Sequence, residues 1–292
     1  MRIGRQSSGY TIVEVLIVLA VSSALLVAAL LLVNGQQQKT AFFQSIHDIQ
    51  NQINSVINNV STGYYHNTNN FTCTAGVADI EPQISAGTNS QGQNQGCIFI
   101  GRAMQFGVHG TSGAGYNIYN LVGLQNKTGT SSDVTSLSEA APLALAPGST
   151  GLGHDTVPSA TEVDSLGYGL AAYKMRYNGN SANAIGTVAF VTDFAQNGGS
   201  GGLTPGSRTA QLYAVNTSVL NSTAAVAVDS MDKNTGCGLN KACNYTLVTS
   251  VDICFQSGGT NQYGIITIGS HGRDLTTTLQ ITNQAPTPPE CV

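Results

Sequence analysis

The sequence of 292 residues predicts an α+β fold, in which a long N-terminal α-helix packs on an antiparallel β-sheet head. Three observations predict it. An unbroken apolar run occupies residues 12–33, an apolar stripe at helical spacing continues to residue 60, and short β-like runs separated by turn signals fill the rest. We therefore divide the chain into a leader at 1–9, a helix at 10–60 and an extracytoplasmic β-rich head at 61–292.

The composition is low in charge and rich in small neutral polar residues. Charged residues make up 9% of the chain, against about 25% in an average soluble domain. The formal net charge is −4, and the chain has 34 glycines. This balance suits an exported surface better than a cytosolic enzyme, and it gives no support to a general nucleic-acid-binding function.

Residues 12–33 predict a transmembrane helix. They read IVEVLIVLAVSSALLVAALLLV, with Glu14 as the one charged residue. A helix of this length covers about 33 Å, enough to cross a hydrocarbon core of about 30 Å. Because Arg2 and Arg5 precede the run, the positive-inside rule places the N-terminus in the cytoplasm. The prediction is a single-pass inner-membrane protein with its head and its six cysteines outside.

Two simpler interpretations of this run stay open. A cleaved signal peptide has an apolar core of about 7–15 residues and a small-x-small cleavage site, whereas this run is longer and residues 32–35 (LVNG) offer no such site. A plain signal anchor leaves Glu14 unexplained. A carboxylate at the centre of a spanning helix costs about 2.5–3.5 kcal/mol, so it usually marks a function.

The N-terminal motif resembles a known signal. Residues 9–17 read GYTIVEVLI after a short leader with two arginines, which is similar to the class III signal of type IV pilins and type II secretion pseudopilins. The resemblance implies cleavage between Gly9 and Tyr10 by prepilin peptidase and N-methylation of Tyr10, where Tyr replaces the commoner Phe. It also implies assembly with other pilin subunits, through a platform in the membrane, into a surface pilus.

Glu14 has a physical role in such an assembly. Cleavage after Gly9 leaves a new α-ammonium group, and Glu14 of a neighbouring subunit can pair with it when helices pack side by side. Two unit charges about 4 Å apart attract by about 4 kcal/mol at an effective dielectric of about 20. That attraction offsets the cost of the carboxylate in an apolar setting, so the pair is expected to set the axial register between subunits.

Beyond residue 33 the helix becomes amphipathic. Its apolar side chains recur in steps of four and three residues: Phe42, Ile46, Ile49, Ile53, Val56 and Val60. A two-helix coiled coil is one use of this stripe, but fewer than three heptads are present. We expect the stripe to dock onto a β-sheet of the same chain.

The head is predicted to consist of short strands and glycine-rich loops. The predicted strands are residues 97–108, 116–122, 168–177, 185–194, 245–255, 263–269 and 275–282, and the longest predicted loops are 125–166 and 196–206. The last strands form a C-terminal β-meander that resembles the final hairpins of minor pilins of the pseudopilin H and fimbrial T kind. A head of this size favours a low-abundance subunit.

Six cysteines permit 15 disulfide connectivities, and the sequence alone does not choose among them. Local pairing suggests Cys73–Cys97, Cys237–Cys243 and Cys254–Cys291. Zinc at Cys237 and Cys243 is disfavoured because five residues separate them and no histidine or second cysteine pair is near. Residues 232–236 (DKNTG) echo half of a calcium loop, without the glutamate that would complete it. We therefore predict no metal site.

No catalytic or cofactor motif is recognisable, because the five histidines are scattered and no phosphate loop is complete. The chain is therefore predicted not to be an enzyme and to have no cofactor. In 173–177 the aromatic and apolar residues Tyr173, Met175 and Tyr177 alternate with Lys174 and Arg176. This pattern predicts a strand with a core face and a wet face, and a local nucleic-acid contact is the alternative.

These observations favour a minor type IV pilin, a structural subunit of a surface filament. A type II secretion pseudopilin is the first alternative, since it uses the same signal and the same helix. A filament-displayed adhesin or DNA-binding subunit is the second.

Overall fold

The computed structural model describes residues 10–64, 71–75, 82–86, 97–107, 114–126, 132–144, 161–180, 185–192, 210–215, 245–258, 261–271 and 274–284. Its fold is α+β, as the sequence predicts: one long N-terminal helix is followed by antiparallel β-sheets. The leader and the predicted loop 196–206 lie outside the described residues.

Helix α1 spans Ile12–Thr62 and continues without interruption through residue 35, where the sequence contains a glycine. It ends at Gly63, whose φ of 70° lies in the left-handed region that glycine adopts without strain. The N–H of Gly63 donates to the carbonyl of Val60 at 3.1 Å, and that of Tyr64 donates to the carbonyl of Asn59 at 2.8 Å. These two bonds form a Schellman cap, which stops the helix where the head begins.

The remaining elements within the described residues are thirteen strands, one short helix and one 3₁₀ turn. They are β1 (Phe71–Ala75), β2 (Pro82–Ala86), β3 (Cys97–Phe106), β4 (Gly115–Leu124), α2 (Leu137–Ala140), β5 (Leu143–Ala144), β6 (Thr161–Ser165), the 3₁₀ turn (Gly167–Gly169), β7 (Leu170–Tyr177), β8 (Thr187–Thr192), β9 (Ala210–Val215), β10 (Tyr245–Leu247), β11 (Ser250–Ser257), β12 (Tyr263–His271) and β13 (Asp274–Thr282).

Within the described residues the strands form three antiparallel sheets. The largest has the order β10-β9-β8-β3-β4-β5, with β6 also paired to β4. A four-stranded sheet has the order β13-β12-β11-β7, and β1 pairs with β2 alone. The strands β11, β12 and β13 are consecutive neighbours, which confirms the predicted C-terminal meander.

One hydrophobic core joins the helix to both large sheets. The second half of α1 contributes seven buried side chains: Phe42, Ile46, Ile49, Ile53, Val56, Ile57 and Val60. They pack with Met104 and Phe190 of the seven-stranded sheet and with Ile253 and Ile266 of the four-stranded sheet. The stripe thus docks within its own chain as predicted, but between two sheets.

The opposite face of the seven-stranded sheet holds a second core with a polar centre. Tyr119 is fully buried there; its hydroxyl accepts from Asn117 Nδ2 at 2.8 Å and donates to Gln105 Oε1 at 2.9 Å. Burial raises the pKa of Tyr119 to about 12, although the Asn117 hydrogen bond acts in the other direction. The phenol therefore stays neutral and serves as a structural group.

Several predicted boundaries are wrong in detail. The predicted strand 245–255 is two strands, because the chain leaves the first sheet after Leu247 and enters the second at Ser250. The predicted loop 125–166 contains α2, β5 and β6. Strand β9 has no counterpart among the predicted strands. Asn178 and Gly179 form a turn after β7, with φ values of 52° and 65°.

The predicted alternation along β7 is also wrong. A β-bulge shifts the register beside Tyr173, because Cys254 pairs with Lys174 while Phe255 pairs with Ala172. Met175 and Tyr177 therefore contact the core between the sheets, whereas Tyr173 packs against Cys254 and Ile265 in a separate cluster. The strand thus presents its tyrosines to both faces.

Candidate assembly helix and its junction with the head

The N-terminal end of α1 is capped by its own sequence. Thr11 has an extended backbone, and its Oγ1 accepts a hydrogen bond from the N–H of Glu14 at 3.3 Å. Glu14 is therefore the third helical residue, the position that a capping box assigns to glutamate. A carboxylate there also interacts favourably with the helix dipole. Tyr10 precedes the cap and is 81% exposed, and Gly9 lies outside the described residues.

The first half of α1 has no partner within the described part of the chain. Its large apolar side chains range from 48% exposed at Val15 to 81% at Ile12. The helix is long and apolar enough to cross a membrane. Exposed aliphatic side chains on every side of a helix are stable only in lipid or against other helices.

The helix passes into the head between Ala41 and Phe42. Ala41 is half-buried and Phe42 only 1% exposed, so burial begins within one residue. Ile46 then fits against Gly264 of β12, where an added Cβ would collide with its Cδ1 atom. Glycine at this position lets the helix approach the sheet closely.

Polar contacts fasten the same helix to the head. Ser45 Oγ donates to the carbonyl of Gly167 in the 3₁₀ turn at 2.9 Å. Gln50 Nε2 donates to Thr277 Oγ1 at 3.2 Å, and Thr277 donates to Asn54 Oδ1 at 2.9 Å. The direction of α1 relative to the head is thus determined by hydrogen bonds as well as by apolar packing.

Tyr168 beside this junction was not predicted from the sequence. It is 64% exposed at the centre of the 3₁₀ turn, with a φ of 54° that bulky residues rarely adopt. Together with α1 it borders an open groove of about 450 Å³ lined by Val33, Gln36, Gln37, Thr40, Ala41 and Gln44. Gly167 and Gly169 on either side of Tyr168 indicate a tight turn in the sequence. The sequence does not indicate that this turn lies against α1.

The described cysteines are oxidised. Cys97 at the start of β3 and Cys254 in β11 are both buried and disulfide-bonded. The side chain of Cys73 and all of Cys237, Cys243 and Cys291 lie outside the described residues, so the three suggested pairings stay predictions. Contact between β1, which holds Cys73, and β3 is compatible with the first of them.

One of the two basic residues of β7 lies in a buried ion pair. The Nε of Arg176 donates to Asp252 Oδ2 at 3.0 Å, and both side chains are buried. Thr267 Oγ1 donates to the other carboxylate oxygen at 2.8 Å. Arg176 is thus committed to a buried ion pair, and Lys174 is half-buried. Among the described residues no group of three or more His, Cys, Asp or Glu could hold a metal ion.

A helix that is apolar and exposed at its start, and that forms part of the core of a head at its end, fits a membrane-anchored subunit. Residues 4–30 match the family model of the prokaryotic N-terminal methylation motif. The match confirms the prediction of a class III prepilin signal, which is typical of type IV pilins and type II secretion pseudopilins. No curated protein and no solved structure matches the chain.

Proposed function

We propose that this protein is a minor type IV pilin. Prepilin peptidase cleaves it after Gly9, Tyr10 is N-methylated, and α1 carries the subunit from the inner membrane into a surface filament. The match to the methylation motif at residues 4–30, on a helix that continues into the core of a large head, carries the proposal. Mass spectrometry of the native protein tests it: we expect a chain that begins at methylated Tyr10, and a chain that begins at Met1 contradicts the proposal.

Assembly can use the apolar half of α1 in two successive environments. In the bilayer, lipid covers the exposed Leu, Ile and Val side chains between Ile12 and Val33. In a filament, the same side chains pack against other helices. Because lipid tails are about as apolar as leucine, the exchange costs little, and close packing decides its direction. The subunit can therefore leave the membrane without exposing its apolar segment to water.

Glu14 supplies the register in this proposal, and it also occupies the third helical position, where a capping box places glutamate. Two substitutions separate the roles. Glu14→Gln keeps a side chain suited to the capping box and removes the charge, whereas Glu14→Ala removes both. If the carboxylate pairs with the α-ammonium group of a neighbour, both variants insert into the membrane but are depleted from sheared filaments. Normal incorporation of Glu14→Gln, with failure of Glu14→Ala, assigns Glu14 to the cap alone.

A type II secretion pseudopilin is the alternative, because the same signal and helix serve both systems. The size of the head favours a low-abundance subunit over the bulk subunit of a filament, in either system. A deletion strain distinguishes the two: loss of pili with normal protein secretion supports the minor pilin, and a secretion defect with normal pili supports the pseudopilin. A purified full-length chain that binds glycans or DNA would add an adhesive role.

A further inference from the structure

We infer that the groove between α1 and Tyr168 is a docking site for a phospholipid of the membrane in which α1 is anchored. The residues that line this groove are Val33, Gln36, Gln37, Thr40, Ala41, Gln44 and Tyr168. The inference rests on the membrane-anchored stage of the proposed function, which a minor pilin and a pseudopilin share.

The groove begins where the apolar segment of α1 ends, since Val33 is the last residue of that segment and also lines the groove. A headgroup layer of about 5–7 Å lies on each side of the hydrocarbon core. Gln36 and Gln37 lie about 5–6 Å beyond Val33 along the helix, and Gln44 lies about 16 Å beyond it. When residues 12–33 cross the hydrocarbon core, the lower end of the groove therefore lies among the lipid headgroups. Gln44 forms the end away from the membrane.

The lining changes from apolar to polar in the same order as a phospholipid does. Val33 is 50% exposed and can contact the carbon atoms of the acyl chains. The amides of Gln36 and Gln37 and the hydroxyl of Thr40 can donate hydrogen bonds to ester and phosphate oxygens. None of the seven lining residues is charged. No carboxylate of the lining therefore repels the phosphate group.

Tyr168 has the properties of a residue at a membrane surface. Its side chain is 64% exposed, and tyrosine is enriched at the membrane–water interface because it combines an apolar ring with a polar hydroxyl. The turn that carries it is held on both sides: Ser45 Oγ donates to the carbonyl of Gly167, and the N–H of Gly258 donates to the carbonyl of Gly169 at 2.8 Å. A bulky residue held at a φ of 54° is the kind of strained position that accumulates at binding sites.

A cation lies close to the same level of the helix. Lys39 is exposed and lies six residues, or about 9 Å, beyond Val33. It is the one lysine or arginine in the sequence between Arg5 and Arg102. Lysines near the ends of spanning helices extend their ammonium groups to the membrane interface. The lysine and the tyrosine thus mark one short segment as the outer edge of the membrane, which favours a phospholipid as the occupant of the groove.

Tryptophan fluorescence tests the inference, because the chain contains no tryptophan of its own. The full chain with Tyr168→Trp is reconstituted into phosphatidylcholine vesicles, and Tyr64→Trp is the matched control. Tyr64 is 54% exposed and lies about 46 Å beyond Val33 along α1. We expect phosphatidylcholine with a nitroxide on its headgroup to quench the probe at position 168 and not the probe at position 64. Equal quenching at the two positions, or none at position 168, overturns the inference.

A second probe does not depend on the strained turn. Thr40→Trp places the tryptophan on the exposed helix side of the groove, and we expect the same lipid to quench it. If Tyr168→Trp does not reproduce the circular dichroism spectrum of the wild type, the result at position 40 decides. Absence of quenching there overturns the inference.

A charge substitution distinguishes the groove from general closeness to the membrane. In the Tyr168→Trp background, Gln37→Glu places a carboxylate in the groove, and Gln38→Glu makes the same change on the adjacent residue outside it. We expect Gln37→Glu to reduce the quenching at position 168, because its carboxylate repels the phosphate, and Gln38→Glu to leave it unchanged. Equal effects of the two variants contradict the docking site. A native chain that is absent from the membrane fraction of cells contradicts the proposed function itself, whereas a membrane-bound chain without quenching contradicts the docking site alone.

Discussion

The contact between Ile46 and Gly264 is the tightest point between helix and sheet, and it gives a quantitative prediction. A Cβ built on Gly264 collides with Ile46 Cδ1, while Ile46 Cγ1 and Phe42 Cζ would lie at 3.4 and 3.5 Å. Gly264→Ala should therefore destabilise the head by about 1–3 kcal/mol through overpacking. Ile46→Val removes the one atom in collision, and alone it should cost about 0.5–1.5 kcal/mol.

The two substitutions should compensate each other. In the double variant the alanine methyl enters the space that Cδ1 has left, so the double variant should be more stable than the sum of the single losses predicts. We expect a coupling energy of at least about 1 kcal/mol, within the range for residues in contact. The assay is urea unfolding of the full chain in mild detergent, followed by circular dichroism.

Gly269→Ala is the control on the same strand. A Cβ there would meet only the carbonyl of Thr249 at 3.9 Å, an ordinary contact. It should change the free energy of unfolding by no more than about 0.5 kcal/mol. Additivity of Gly264→Ala and Ile46→Val within about 0.3 kcal/mol would show that the helix does not approach the sheet as described.

Three further predictions follow from the core and its polar groups. A fragment that begins at residue 61 should not fold, because it lacks the seven buried α1 side chains, whose burial stabilises the fold by about 1.5–3 kcal/mol each. A fragment that begins at Gln36 keeps these side chains and should unfold cooperatively in urea. Cooperative unfolding of the shorter fragment would contradict this prediction. Above pH 10 an unfolded tyrosine loses its proton, while burial raises the pKa of Tyr119 to about 12, so the contribution of Tyr119 to stability should fall by about 1 kcal/mol by pH 11. Burial also raises the pKa of Tyr245 to about 12, which adds a similar decrease. In urea titrations between about pH 9 and pH 11, Tyr119→Phe should therefore lose less stability than the wild type, and equal losses would contradict the assignment. Asp252→Ala should lower the free energy of unfolding by about 3 kcal/mol, because it leaves Arg176 buried without its partner. Thr267→Val removes only a hydrogen bond to Asp252 and should lower it by about 1 kcal/mol. Equal losses in the two variants would refute the buried ion pair.

The helix and the meander could be predicted because their signals are local. The apolar run and the stripe together specify α1, whose 51 residues are about four times the usual helix length of about 12 residues, and tertiary packing reinforces the stripe. The strands β11 to β13 follow one another along the chain and pair as antiparallel neighbours, and β13 alternates half-buried with exposed residues, so this part of the sheet follows from the sequence pattern. The class III signal is likewise contained in consecutive residues.

The rest of the head depends on contacts between distant residues. Helix α2 has only four residues and is stabilised by the cap from Ser136 and by burial of Leu137 and Ala140. The bulge beside Tyr173 is a shift in the register between β7 and β11, so the sequence of β7 alone does not predict it. The groove beside Tyr168 is lined by helix residues more than a hundred positions away in the sequence. The periodicity of a single segment does not indicate contacts between residues so far apart in the sequence.

The division of α1 into two halves has a mechanical consequence for a filament. Residues after Ala41 form part of the core and are bound to the head by Ser45, Gln50 and Asn54. Residues before Val33 contact nothing in the head within the described chain and are available to other subunits. Because one continuous helix joins them, any contact that sets the position of the first half also sets the position and direction of the head. A register pair at Glu14 would therefore determine, about 50 Å away along α1, which face of the head is displayed.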